Sequence, residues 1–210
     1  MVEKVCAERG IEVAGWSEDV ASVDPALAKD CVAVDFTMPS AIRANYKSLA
    51  DKFKAVVIGT TGWYDIMDEV TEYFGKKGTP MIWASNFSVG VNAMTAAVEQ
   101  ISRLLAKAGG YSPYIVEKHH IHKLDAPSGT AITLGKTIEK YIKDPKPCIS
   151  SVRVGELPGI HTVGFEGSCD RITIEHEAFS RQGLAEGAVT AALMTEGLEG
   201  VHEFKDLLFA

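Results

Sequence analysis

Ala55-Val56-Val57-Ile58-Gly59-Thr60-Thr61-Gly62 is an unbroken apolar run that ends on two glycines bracketing two threonines. Short continuous apolar runs rich in β-branched residues suit strands covered on both faces. Helical stretches flank this one, at about 39–52 before it and 64–76 after it. Beyond those helices lie two runs of the same kind, Cys31-Val32-Ala33-Val34-Asp35-Phe36 and Met81-Ile82-Trp83-Ala84. Strands alternating with helices predict a parallel α/β sheet. Further upstream, residues 2–9 read as the end of a helix capped by Gly10, and residues 11–16 as one more short strand. Trp16, Trp63 and Trp83 are expected to be packing residues.

After Ser88 the pattern changes. Val91, Met94, Val98, Ile101 and Leu105 recur at spacings of three and four, which predicts an amphipathic helix. A strand at 114–118, a loop and a helix at about 130–142 follow. Strands at 151–155, 161–165 and 171–176, joined by Gly-rich turns, predict an antiparallel or mixed sheet. The last helices, about 187–196 and 203–208, are expected to return to the first half. The plan is therefore α/β: a Rossmann-like first domain, then a second α+β domain.

Composition narrows the possible functions. The 210 residues carry a formal net charge of −7, which argues against broad nucleic-acid binding, since that needs a basic surface. No apolar run approaches the roughly 20 residues that cross a bilayer, and the first residues show no secretory pattern. Cys6, Cys31, Cys148 and Cys169 are scattered without a CxxC pair, so free thiols in a reducing cytoplasm are expected.

Chemistry concentrates in Glu117-Lys118-His119-His120-Ile121-His122-Lys123-Leu124-Asp125-Ala126-Pro127-Ser128-Gly129-Thr130-Ala131. Three histidines and two lysines stand at a strand end, ahead of a Pro/Ser/Gly/Thr loop that opens a helix. The first N–H groups of a helix lack internal partners and attract carboxylates or phosphates. Lys123 adds a full charge, and a histidine exchanges protons near neutral pH. The alternative is a solvated surface loop. Three imidazoles also suit zinc, but neither cysteines nor an i,i+4 helical His pair accompany them, so no metal is expected.

This run resembles the signature of the dihydrodipicolinate (4-hydroxy-tetrahydrodipicolinate) reductase family, E-x-H-H-x-x-K-x-D-A-P-S-G-T-A, at every fixed position. The resemblance extends to Asp35-Phe36-Thr37, Gly59-Thr60-Thr61-Gly62, Ser85-Asn86-Phe87-Ser88-Val89-Gly90-Val91-Asn92 and Ser180-Arg181. It implies a reduction with NADPH or NADH in lysine and diaminopimelate synthesis. His119 would protonate the substrate and Lys123 would orient a substrate carboxylate. Ser128, Gly129 and Thr130 would hold that carboxylate, with His120 lining the same pocket. Phe36, Thr37, Gly59 and Thr61 would contact the cofactor, and Ala84, Ser85 and Phe87 would line the nicotinamide side of the cleft. Arg181 is similar to a family arginine near both ligands. The implied domains are 1–87 with 186–210 for the dinucleotide, and 88–185 for substrate and oligomerisation. The family is similar to cytoplasmic homotetramers built through the second-domain sheet.

One departure stands out. Dinucleotide folds open with a strand and G-x-G-x-x-G leading into the first helix, whereas this chain starts within what would be that helix. The Rossmann-like domain is thus expected to be incomplete at its N-terminus. Ser17-Glu18-Asp19 falls where ribose recognition is expected, and leaves NADH and NADPH both admissible. Two other readings stay open: a non-catalytic remnant that serves in assembly, or a different nicotinamide-dependent oxidoreductase of small acids.

Overall fold

The computed structural model describes residues 1–209. In chain order they form α1 (Val2–Glu8), α2 (Pro25–Ala28), β1 (Val32–Asp35), α3 (Pro39–Lys52), β2 (Ala55–Ile58), α4 (Met67–Lys77) and β3 (Met81–Trp83). Then come α5 (Val89–Ala108), β4 (Ser112–His119), α6 (Gly129–Glu139), β5 (Cys148–Arg153), β6 (Gly159–Glu166), β7 (Arg171–Ala178), α7 (Gln182–Met194), β8 (Val201–Glu203) and α8 (Phe204–Leu208). Two compact units result: Met1–Ser88 with the chain from Leu184 onward, and Val89–Gly183.

The first unit holds a parallel sheet of order β1-β2-β3-β8. Alternate side chains of β2 leave by opposite faces, as the pleat requires. Val56 and Ile58 pack with Ile42, Tyr46 and Leu49 of α3 and Val70 and Phe74 of α4. Val57 packs with Ile82, Ala84, Phe87, Ala188, Ala191 and Phe204. All four residues of β2 are buried, which explains the unbroken apolar run. Trp63 is fully buried as expected, and its indole N–H donates to the Thr60 carbonyl at 2.7 Å.

Gly10 ends α1 as the sequence predicts. Its φ is +66°, with Ile11 N–H donating to Cys6 O at 2.8 Å and Gly10 N–H to Ala7 O at 3.2 Å. These two bonds satisfy carbonyls that the helix end would otherwise leave open. The strand expected at 11–16 is absent. A strand lasts only where a neighbour pairs its backbone, and β1 pairs with β2 alone. Val13 and Trp16 are exposed instead, Trp16 to 79%, so Trp16 is not a packing residue. The segment after it is tied down differently: Lys52 donates to the carbonyls of Val20, Ala21 and Val23 at 2.8–3.1 Å. The three-residue strand β8 escaped the sequence reading, and α2 did so despite its Asp24 cap and Pro25 at the first turn.

The second unit holds a mixed sheet of order β5-β4-β6-β7, parallel between β4 and β5 and antiparallel elsewhere. On β4 the buried positions are Pro113, Ile115, Glu117 and His119, an alternation of period two. Ile115 packs with Met94 and Val98 of α5, Leu134 and Ile138 of α6, and Val163 and Phe165 of β6. Further along the same face the core turns polar: Glu117, His119, His161 and Ser128 are all buried.

Two stability experiments follow from this packing. A Cβ at Gly187 would run into the Phe87 carbonyl oxygen, whereas one at Gly183, in the same helix, meets nothing within 4 Å. Gly187→Ala should cost about 1–3 kcal/mol, and Gly183→Ala should be neutral or stabilise by up to about 1 kcal/mol. Equal melting temperatures for the two variants would contradict the packing. Burial, with nearby His119, lowers the pKa of His161 to about 4. Its unfolded value is near 6.5, so between those values only the unfolded chain takes up the proton, and stability falls as pH drops from 6.5 to 4. The loss is on the order of 3 kcal/mol for this group. Thermal scans against pH should show His161→Gln with a flatter acid limb than the parent.

Candidate active site

The polar end of the second unit is organised by Glu117. Its side chain is fully buried, and a buried carboxylate needs donors. Arg153, directly across the β4–β5 ladder from His119, grips it with two bonds, Nη1 to Oε2 at 3.0 Å and Nη2 to Oε1 at 2.8 Å. His119, two residues along β4 and so on the same face, meets Oε2 through Nδ1. Burial alone would raise the Glu117 pKa. Bonds from Arg153, Ser151 and His119 overcome it and hold the group at about 2, so it is ionised near neutrality.

An ionised Glu117 accepts, so the neutral His119 ring carries its proton on Nδ1 and leaves Nε2 for exchange. A Cβ at Gly159 would lie 3.0 Å from that Nε2 and crowd the ring. The His119 pKa is lowered, first by burial; Glu117 works against this, while Lys123 and Arg153 add to it. The His161 ring stands edge-on to His119, with centroids 5.1 Å apart.

The loop after β4 is fastened to the same cluster. Arg153 Nη2 donates to the Asp125 carbonyl at 2.7 Å, and the Asp125 carboxylate pairs with Lys123 Nζ at 2.7 Å. Ser128 caps α6 by accepting from Ala131 N–H at 3.2 Å, and lies 3.0 Å from His161 Nε2. The side chain of Ser128 thus faces inward, whereas Gly129 is exposed and Thr130 half-buried at the head of α6. The His120 ring lies 6.0 Å from that of His122, and its Nδ1 is buried with no hydrogen-bond partner. Arg181 is exposed just before α7. No group of three or more His, Cys, Asp or Glu among the described residues could hold a metal.

In the first unit the expected cofactor residues gather where β1, β2 and β3 end. Asp35 ties two loops together: its Oδ1 accepts from Thr60 Oγ1 at 2.6 Å, Thr37 Oγ1 at 2.9 Å and Thr37 N–H at 3.1 Å. Gly59 N–H donates to Asp35 O at 2.8 Å, and a side chain at Gly59 would collide with the Phe36 ring. The Phe36 ring is 49% exposed and edge-on to Phe87 at 5.9 Å. Thr61 and Ser85 are exposed, Ala84 is buried, and Asn86 Oδ1 accepts from Ser88 N–H at 2.8 Å. Backbone-rich, glycine-bearing loops at the carboxyl ends of parallel strands fit a dinucleotide.

Sequence reasoning missed the roles of Glu117, Arg153, Asp125, Gly159 and His161. Glu117 was within reach, because its spacing of two from His119 puts both on one face of a strand. Arg153 and His161 come from other strands, and their approach depends on register.

Comparison with known proteins gives the family. Residues 4–87 match the family described as dihydrodipicolinate reductase, N-terminus, and residues 90–208 match its C-terminus counterpart. The 4-hydroxy-tetrahydrodipicolinate reductase of Christiangramia forsetii is 40% identical over 192 residues, covering 84% of this chain and 79% of that protein. The Chromohalobacter salexigens protein of the same name is 38% identical over 212 residues, covering 90% and 77%. The dipicolinate-bound dihydrodipicolinate reductase from Paenisporosarcina sp. TG-14 shares the fold, with a TM-score of 0.78 at 21% identity over 96% of this chain and 83% of that one. With both halves matched and relatives this similar, the chain belongs to the dihydrodipicolinate reductase family.

Proposed function

We propose that this chain is a 4-hydroxy-tetrahydrodipicolinate reductase of lysine and diaminopimelate synthesis, using NADPH or NADH. The cofactor supplies a hydride; the net change adds that hydride and a proton to the substrate and releases water. The observation that carries the site assignment is the single hydrogen-bonded chain joining His119, Glu117, Arg153, Asp125 and Lys123. His119 delivers the proton from Nε2 while Glu117 holds Nδ1. Lys123 and the N–H groups of Gly129 and Thr130 at the head of α6 hold a substrate carboxylate. Ser128 contributes by setting that helix end, and His120 lines the same pocket. Phe36, Thr37, Gly59, Thr61, Ala84, Ser85 and Phe87 hold the nicotinamide cofactor, with Arg181 serving both ligands. The dinucleotide role falls to the first unit, the substrate and assembly roles to the second.

A homotetramer in the cytoplasm is the assembly we read for it. The second sheet presents Tyr114, Val116, Lys118 and the half-exposed Val152 on the face away from the Ile115 core, a surface fit for a second copy. No helix among the described residues is long and apolar enough to cross a membrane.

Calorimetric titration of NADPH and NADH, with and without pyridine-2,6-dicarboxylate, tests the ligand assignments. Micromolar cofactor binding tightened by the dicarboxylate is expected; binding of neither class of ligand would refute them. Steady-state rates test the roles. His119→Gln should lower kcat by about 10²- to 10⁴-fold. Lys123→Ala should lower kcat/KM by about 10- to 100-fold, the worth of one charged hydrogen bond. Parental rates in either variant would remove that residue from the reaction.

A further inference from the structure

The geometry assigns to the pair of buried Glu117 and half-buried Arg153 a positioning role that holds proton donor and carboxylate-binding loop in one frame. It rests on the proposed role of His119 as proton donor. Three contacts carry it. The Glu117 carboxylate meets His119 Nδ1 and takes both Arg153 Nη atoms. Arg153 Nη2 also reaches the Asp125 carbonyl in the loop, and Asp125 in turn holds Lys123. Packing alone explains none of this. An apolar pair could fill the same space, and buried ion pairs are often replaceable by apolar residues without loss of stability. What an apolar pair could not do is select a tautomer or tether a loop carbonyl.

The consequences for each end differ. With Nδ1–H held by Glu117, Nε2 of His119 is the nitrogen that gains and loses a proton. Charged and titratable groups around that ring are Glu117 on its own strand, Lys123 in the loop, Arg153 on β5 and His161 on β6. Of these only Glu117 favours the protonated ring, while burial, Lys123 and Arg153 oppose it. Removing the carboxylate therefore moves the His119 titration to lower pH. Removing the guanidinium loosens Asp125 and Lys123, so it acts on substrate binding.

The test uses the full chain and two variants. Glu117→Gln leaves the half-buried Arg153 beside a neutral group and can fail to fold. The double variant Glu117→Gln/Arg153→Met removes that burden. Either should lower kcat about 10- to 100-fold, the usual effect of removing a group that orients a histidine through its second nitrogen. Glu117→Gln should also shift the alkaline fall of kcat downward by about 1–3 pH units, and the double variant, which loses the opposing guanidinium as well, should shift it downward by less. Arg153→Lys, which keeps the charge but not the fork, should raise KM for the substrate more than it lowers kcat. Nitrogen-15 NMR of the parent adds a readout independent of turnover, and should show neutral His119 protonated at Nδ1. An Nε2–H tautomer in the parent would overturn the assignment without any variant. A double variant with parental kcat and pH profile, beside a crippled His119→Gln, would overturn this inference alone. Parental turnover in His119→Gln would overturn the proton-donor reading and this inference with it.

Discussion

A carboxylate that water cannot reach has to be surrounded by protein donors, and in the second unit that requirement falls on Glu117. Two strands answer it directly, and a loop braces one of the donors. β4 supplies His119 from the same face, β5 supplies Arg153 from the adjacent rung, and the loop supplies a carbonyl that takes a further bond from Arg153 Nη2. On β6, His161 then sits against both the His119 ring and the cap of α6. Since an unpartnered buried charge is far costlier than an unpartnered surface one, these parts stand or fall together. The apolar core around Ile115 keeps the helices on the sheet, while the polar end decides where the reactive groups point.

The first unit solves a different problem. Its loops at the strand ends carry few charges, so their shape comes from small, local bonds centred on Asp35 and from the absence of a side chain at Gly59. Asp35 joins two strand ends through Thr37 and Thr60. A rigid rim of backbone results, with the Phe36 ring lying over Gly59 and half open to solvent.

Much of this was legible in the residues. The buried strand at 55–58 announced itself by an unbroken apolar run, and Gly10 announced its left-handed turn. The polar cluster was legible because its members His119, Lys123 and the head of α6 are close in sequence. What stayed hidden depended on distant pairing. Arg153 and His161 reach the cluster only through the strand order β5-β4-β6, which no local pattern encodes. The false strand at 11–16 shows the converse: apolar residues can favour extension, but a ladder needs a neighbour. The Ser128 hydroxyl also accepts from α6 and meets His161, contacts that depend on where β6 lies.

β4 and β5 run parallel, with α6 between them in the chain, so they form a crossover connection inside an otherwise antiparallel sheet. Parallel strands end on the same edge, and that edge is where His119 and Arg153 lie opposite each other. The loop from 120 to 128 is the first leg of the crossover, and its length is set by the climb from strand to helix. Insertions there would lengthen the leg without moving its ends, and slacken the carbonyl that Arg153 holds. Tolerance to length change should therefore be far lower in this leg than in the hairpin turn between β6 and β7, where the antiparallel strands are joined with no crossover to span.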